Sequence, residues 1–359
     1  MTTRTTYSAG GFTATVVHDA LPIDGSPLSN DIVLGPSGAA ATLLHITPRI
    51  PFNRVWDLGC GSGVQSLIAA QHADHVVATD IDERALSLTQ ESAQLNGLNI
   101  ETRRGSLCEP VKNEKFDLII SNPPFVIGGV THLTHRESPL PADDLTRVLL
   151  EEIPQHLTDN GIAVMLVTWL ITSEDWRDRF ADWLPTDVGA WIALRDALSV
   201  EEYVSTWMHD AGITDSSVTE KWQHYLQQLN AREVGFGWIV LSKAHDFVLF
   251  DDVRRAQSLP TGDDVLATLA AANFADNLTA VQSLDEPCEQ LPGPVWRQAQ
   301  GLDLVMSGVW ERLNGQRTLA DIAAELAALW QQDEDDILVL SLVALKGLVA
   351  LGFAQPARL

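Results

Sequence analysis

The chain has 359 residues, 45% of them hydrophobic and 20% charged, the balance of an ordinary globular protein with room for one large core and a smaller second one. Its net charge of −25 argues against tight non-specific DNA binding, which rests on a positive face. No apolar run approaches the roughly 20 residues that cross a bilayer, the stretch MTTRTTYSAGGF lacks the apolar core of a secretory signal, and Cys60, Cys108 and Cys288 are too few and too scattered for a disulfide framework or a zinc cluster. A cytoplasmic address, three free thiols and no bound metal are therefore expected.

Along the chain, Ser37 is placed to cap a helix over residues 39–45. From about residue 51 to 168, short apolar runs rich in branched residues alternate with amphipathic stretches, the pattern of successive strand-helix units in a parallel sheet. Predicted strands cover 54–58, 75–80, 101–104, 116–121 and 162–168, and predicted helices cover 63–71 and 83–95. Asp82 reads as an N-cap of the second helix and Asn96-Gly97 as its stop. A helix over 173–184, a strand over 190–194, a helical insert at about 200–229 and a strand over 235–241 follow. The sum is a doubly wound α/β fold around a seven-stranded, Rossmann-like sheet.

The insert carries Trp207, Trp222 and Tyr225 at helical spacings. Two readings of it stand side by side: a cap over a substrate cleft, or an amphipathic helix pair covering exposed sheet. Of the eleven tryptophans most fall in amphipathic stretches, and core packing explains them more simply than an aromatic binding surface.

Near Asp251 the strand-helix rhythm stops, which divides the chain into a domain over 1–250 and a smaller one over 251–359. Three helical patterns at 302–313, 319–329 and 337–350, the second capped by Thr318, make a mainly helical, winged-helix-like segment over about 302–357. Its second helix holds Asp321 and Glu325 and no Lys or Arg, so protein contact or packing is expected of it rather than reading of DNA.

Three local patterns carry chemistry. The first runs Asp57-Leu58-Gly59-Cys60-Gly61-Ser62-Gly63, an apolar strand that ends at an acid and turns through glycines into a helix. Glycines there let a ligand approach the backbone closely, and their G-x-G-x-G spacing differs from the G-x-G-x-x-G of dinucleotide sites. The second is Asp80 at the end of the next strand, a carboxylate placed to accept hydrogen bonds from both hydroxyls of a ribose; helix capping is the plainer alternative, and Asp82 takes that role.

The third pattern, Ser121-Asn122-Pro123-Pro124-Phe125, follows the fourth predicted strand. Two prolines fix φ and remove two N–H donors, which makes a stiff turn with outward carbonyls. A Pro123 carbonyl and the Asn122 side-chain oxygen are suited to accept both hydrogens of an NH2 group while the Phe125 ring stacks on a flat acceptor. His132 and His135 lack a third ligand at matching spacing and read as loop histidines within reach of substrate, and Arg136 and Glu137 have two readings, contact with the acceptor or, the plainer one, solvated loop residues.

Taken together, these residues resemble the class I S-adenosylmethionine-dependent methyltransferases whose fourth motif is N-P-P-Y or N-P-P-F, above all the release-factor glutamine N5-methyltransferases. Guanine-N2 and adenine-N6 methyltransferases of RNA or DNA are similar, as are actinobacterial methyltransferases with an appended C-terminal domain. The resemblance spans about residues 30–170. It implies that Asp57, Gly59, Gly61 and Gly63 surround the methionine part of the cofactor S-adenosylmethionine, that Asp80 holds the ribose, and that Ile81 lies against the adenine.

Ser106 and Leu107 stand in the adenine loop, where relatives often carry an acid, and Asn122, Pro123, Pro124 and Phe125 form the acceptor site. The implied activity is N-methylation (EC 2.1.1.-) of a planar amide, with a protein glutamine side chain, for instance of a translation factor, as the leading acceptor. An exocyclic amine of an RNA or DNA base is the alternative. From another class comes a non-catalytic module that binds S-adenosylmethionine and contacts partners.

Overall fold

In the computed structural model the described residues are 2–9, 11–21, 32–128, 137–138, 140–244, 247–277, 287–297 and 302–357. The chain opens with strands β1 (Thr2–Ala9) and β2 (Phe12–Asp19), then α1 (Gly38–Ile46), β3 (Phe52–Leu58), α2 (Val64–Ala69), β4 (Ala73–Asp80) and α3 (Glu83–Asn96). Next come β5 (Glu101–Arg104), β6 (Phe116–Ser121), α4 (Asp144–Glu152), β7 (Leu157–Ile171) and β8 (Gly189–Ser199). The insert follows as α5 (Val200–Asp210) and α6 (Ser216–Gln228), and then β9 (Glu233–Ser242), β10 (Val248–Asp252) and α7 (Gly262–Asn277). The last elements are β11 (Cys288–Gln290), α8 (Leu304–Trp310), α9 (Leu319–Trp330), α10 (Glu334–Ala350) and β12 (Ala354–Pro356).

The central sheet has eight strands in the order β10-β8-β9-β7-β6-β3-β4-β5, one more than the seven expected. The additional strand is β10, whose VLFDD pairs in parallel with β8; it falls at the point near Asp251 where the strand-helix rhythm stops, so no following helix marks it in the sequence. Strands β3 to β7 are parallel to one another, and β9 alone runs antiparallel, between β7 and β8. Successive residues of the central strands serve opposite cores: Val55, Ile120 and Val164 join the layer made with α1, α2 and α3, whereas Trp56, Ile119 and Ala163 join the layer made with α4. Both faces are thus covered, which is why these strands read as continuous apolar runs.

Helix ends follow the local chemistry. Ser37 caps α1 by accepting from the Ala40 N–H, Asp82 caps α3 by accepting from the Arg84 N–H, and Gly97 ends α3 in the left-handed conformation. The expected helix over 173–184 is not formed: a short 3-10 turn at Trp176–Phe180 stands there, and its two rings pack against Trp169 and Phe250. That aromatic cluster uses the apolar residues without a continuous helix.

The β1-β2 hairpin was not expected from the sequence, although threonines recur on both sides of Gly10-Gly11. Its outer edge is tied to α3 by side chains: the Val17 N–H donates to Ser92 Oγ at 2.8 Å, and Asn96 closes both backbone groups of Thr15.

Asp251, chosen from the sequence as the domain boundary, lies inside β10. Its carboxylate is fully buried and receives hydrogen bonds from Trp191 Nε1 at 2.7 Å and from Arg297, whose nearest nitrogen is 2.5 Å away. Arg297 also donates to the Leu351 carbonyl and lies over the Trp296 ring, so one ion pair joins the sheet edge to the C-terminal helices. Those helices, α8 to α10, share a core of their own around Val309, Ile322, Leu326 and Leu348, closed by the β11-β12 ribbon. Trp56, Trp169, Trp191, Trp222 and Trp238 are all fully buried, in keeping with the packing role expected of them, and no described helix is long and apolar enough to cross a membrane.

Removing one member of a buried ion pair leaves an uncompensated charge and costs about 3–5 kcal/mol. Arg297→Met is therefore expected to lose about that much in urea unfolding, and Asp251→Asn combined with it to recover part of the loss. A change below about 1 kcal/mol in the single variant would mean that water reaches the pair.

Candidate active site

From β3 the chain winds outward through β4 to β5, and from β6 it winds the other way to β7. Connections leaving the carboxyl ends of β3 and β6 therefore part to opposite sides, and a crevice opens between them, the usual ligand site of open α/β sheets. A cavity of about 760 Å³ lies there, lined by residues from the ends of β3, β4 and β6, the segment before α1, the turn after β5 and the start of α4.

The sequence-predicted site residues converge on it. Asp57, Gly59, Gly61, Asp80, Ile81, Ser106, Leu107, Asn122, Pro123 and Pro124 all line the cavity. Gly63 and Phe125 are not among the lining residues. Gly63 adopts φ +83 at the N-cap of α2, and a Cβ there would stand 2.7 Å from Thr89 Oγ1, so this glycine serves the packing of α3 on the turn. The Phe125 ring meets Trp207 of the insert edge-on at 6.3 Å and belongs to the apolar cluster around the insert. His132, His135 and Arg136 lie outside the described residues.

Gly59 and Gly61 have φ +72 and +54, and a Cβ on either would meet no protein atom within 4 Å. The positive φ favours glycine on backbone grounds, and the open space leaves bare peptide facing the cavity. Gly61 donates its N–H to Asp80 Oδ2 at 2.9 Å, and Asp80 Oδ1 accepts from the Asp82 N–H at 2.9 Å. The carboxylate is thus oriented by two backbone bonds and keeps lone pairs for a further donor. Burial raises its pKa, and the two amides work against that.

Asp57 is buried beneath the turn. Its Oδ2 accepts from the N–H and the hydroxyl of Ser66, at 3.0 and 2.5 Å, which ties strand β3 to the first turn of α2. Burial pushes its pKa up to about 6, opposed by the Ser66 bonds and assisted by the nearby Asp80 charge. Ile81, more than half exposed, offers an apolar surface to the cavity beside Asp80. All three cysteines are free and buried, and among the described residues no group of three or more His, Cys, Asp or Glu is placed to hold a metal ion.

Asn122 follows the last residue of β6, and its Oδ1 is buried without a hydrogen-bond partner. A buried unpaired acceptor costs about 1–3 kcal/mol, and one that stands at a cavity is suited to completion by a bound donor. The turn that carries it is gripped from the insert. The Ile127 N–H donates to the Tyr203 hydroxyl at 2.7 Å, Trp222 Nε1 donates to the Ile127 carbonyl at 2.9 Å, and the Ala142 N–H donates to the Tyr225 hydroxyl at 3.0 Å. Glu137, for which solvation was the plainer of two readings, is instead buried and lines the cavity; Tyr225 lines it too. The helical spacing of the insert aromatics was visible in the sequence, but nothing local to α6 points to β6, nearly a hundred residues earlier.

Residues 37–169 match the family model described as methyltransferase small domain, which runs from the cap of α1 almost to the end of β7. Among curated relatives, a release factor glutamine methyltransferase of Xylella fastidiosa (strain Temecula1 / ATCC 700964) is 36% identical over 136 residues, 34% of this chain and 47% of that one. A protein named ribosomal RNA small subunit methyltransferase C, from Alcanivorax borkumensis, is 31% identical over 122 residues, 34% of this chain and 33% of that one. The chain thus spans between a third and a half of the length of these curated relatives. Of solved structures, a T. thermophilus 16S rRNA N2 G1207 methyltransferase in complex with AdoMet and guanosine aligns with a TM-score of 0.35 at 19% identity, over 52% of this chain and 44% of that one.

Because the Asp57 pKa in the folded protein lies above the ordinary carboxylate value, the protonated form is the one the fold favours. Its contribution to stability is complete below about pH 4 and is lost as pH rises through about 6. Asp57→Asn removes this dependence, so the difference in unfolding free energy between variant and parent should shift in favour of the variant by about 1–1.5 kcal/mol from pH 5 to pH 8. Denaturant titrations at the two pH values read it, and a constant difference would mean that the carboxylate is solvated.

Proposed function

We propose that this chain is an S-adenosylmethionine-dependent N-methyltransferase whose acceptor is a planar amide, with a glutamine side chain of a protein as the leading substrate. The observation that carries the reading is the orphaned Asn122 Oδ1, standing in the same cavity as the open glycine turn and the Asp80 carboxylate. The substrate named for the X. fastidiosa relative is of this class, and a cytoplasmic protein with a translation factor as partner goes with it.

The residues present fit the cofactor. The bare backbone at Gly59 and Gly61 admits an aminoacyl chain, Asp80 accepts from ribose hydroxyls, and Ile81 with Leu107 gives an apolar seat for adenine, with the Ser106 hydroxyl beside it. When bound, S-adenosylmethionine supplies a methyl group on an electrophilic sulfonium. Asp57 holds the turn to α2 and so fixes the position of the cradle.

On the acceptor side, Asn122 Oδ1 and the Pro123 carbonyl accept the two hydrogens of an NH2 group and leave its nitrogen aimed along one line. Pro123 and Pro124 keep that pair of acceptors stiff, while Phe125 braces the turn against the insert. Holding reactants in line in this way is worth about 7–11 kcal/mol of barrier, so positioning and exclusion of water are the work of these residues. The cavity wall contributes Asp57, Asp80, Asp82 and Glu137 and, among the described residues, no Lys, Arg or His, which suits an uncharged amide better than a phosphate-bearing acceptor.

The second reading, methylation of an exocyclic amine on an RNA base, rests on the A. borkumensis relative; a flipped base offers the same flat NH2 group. Incubation with tritiated S-adenosylmethionine and cell extract separates the two: label removed by protease supports the protein acceptor, label removed by ribonuclease supports the base, and label in neither fraction ends both. Asn122→Ala is expected to lower transfer at least about a hundredfold while the Kd for S-adenosylhomocysteine stays within about threefold. Retained transfer would refute the role of Asn122, and a biological effect untouched by this variant would favour a non-catalytic binding module.

A further inference from the structure

Aromatic side chains of the insert converge on the segment that follows the Asn-Pro-Pro-Phe turn. Tyr203 on α5 and Trp222 on α6, both fully buried, take the two backbone groups of Ile127. Trp207 meets Phe125, which turns that ring toward the insert. Tyr225 lies one helical turn beyond Trp222 and beside the buried Leu226, and it is half-buried where it reaches the cavity. Among the described residues that line the cavity, Tyr225 is the sole aromatic.

A planar amide gains most from an aromatic face when the face is rigid. Tyr225 meets that condition, since its hydroxyl is fixed by the Ala142 N–H and its helix is anchored by Trp222 and Leu226. We propose that Tyr225, contributed by the insert, supplies the flat surface on which the planar acceptor rests, so that the insert rather than Phe125 determines which acceptor is taken. This rests on the methyltransferase reading above.

The test uses the full chain, tritiated S-adenosylmethionine and, as acceptor, the nuclease-treated protein fraction of a cell extract, with initial rates measured against the concentration of that fraction. Loss of an aromatic contact in Tyr225→Leu should raise the half-saturating concentration about three- to tenfold, leave the maximal rate within about threefold and leave the Kd for S-adenosylhomocysteine unchanged. Tyr225→Phe, which keeps the ring and loses the bond to Ala142, should restore half-saturation to within about twofold of the parent.

A purely structural role predicts instead that both variants weaken together, because both lose the hydroxyl, and that outcome overturns the proposal. So does a Tyr225→Leu variant with the half-saturation of the parent. A parent protein that transfers no label to the protein fraction sinks the assignment of a protein acceptor and this proposal with it, whereas an active parent beside an unaffected Leu variant sinks this proposal alone.

Discussion

The crevice at the carboxyl ends of β3 and β6 exists because the chain winds away from those two neighbours in opposite directions, and everything proposed for the site depends on keeping that crevice open. Two local devices do so. Positive φ at Gly59 and Gly61 bends the backbone around the opening with no Cβ to enter it, and the Gly61 N–H is drawn to Asp80 on the adjacent strand. That hydrogen bond ties the turn to the carboxylate, whose orientation the Asp82 N–H completes. On the other side the prolines after Asn122 deny the chain the donors that would let it close over the opening.

Holding such a site open has costs, and the structure shows where they fall. Asp57 anchors α2 but carries its charge in a place that disfavours it, with a pKa near 6. Asn122 keeps an acceptor that the protein itself does not satisfy. The offsetting terms lie at a distance: aromatic packing on both faces of the sheet, the Asp251–Arg297 pair at its edge and the C-terminal helices beyond it. A cavity with unsatisfied groups is tolerated because its surroundings over-determine its shape.

The insert joins these two themes. It spans the late strands β8 and β9, yet its strongest polar contacts go to Ile127 and Ala142, on either side of the loop that follows β6. Of the two readings open from the sequence, cleft cap or sheet cover, its contacts join both: Val234 and Leu170 of the sheet are buried beneath it, and Tyr225 reaches the cavity.

What could be read without coordinates was whatever is encoded in neighbouring residues. Strand positions from β3 to β7, the caps at Ser37, Asp82 and Gly97, the glycine turn and the Asn-Pro-Pro-Phe turn all depend on spacings of a few residues, and they stand where those spacings put them. The eighth strand, the 3-10 turn at Trp176, the hairpin at the start and the partners of Arg297 escaped, since each is stabilised by groups far away in the chain: β10 by β8, the turn by Phe250, the hairpin by Ser92 and Asn96. Phe125 makes the same point within the site. Its identity and its position after two prolines were plain in the sequence, but the direction of its ring was decided by Trp207, about eighty residues later, because an aromatic side chain goes where it can bury the most surface, and only the folded chain determines where that is.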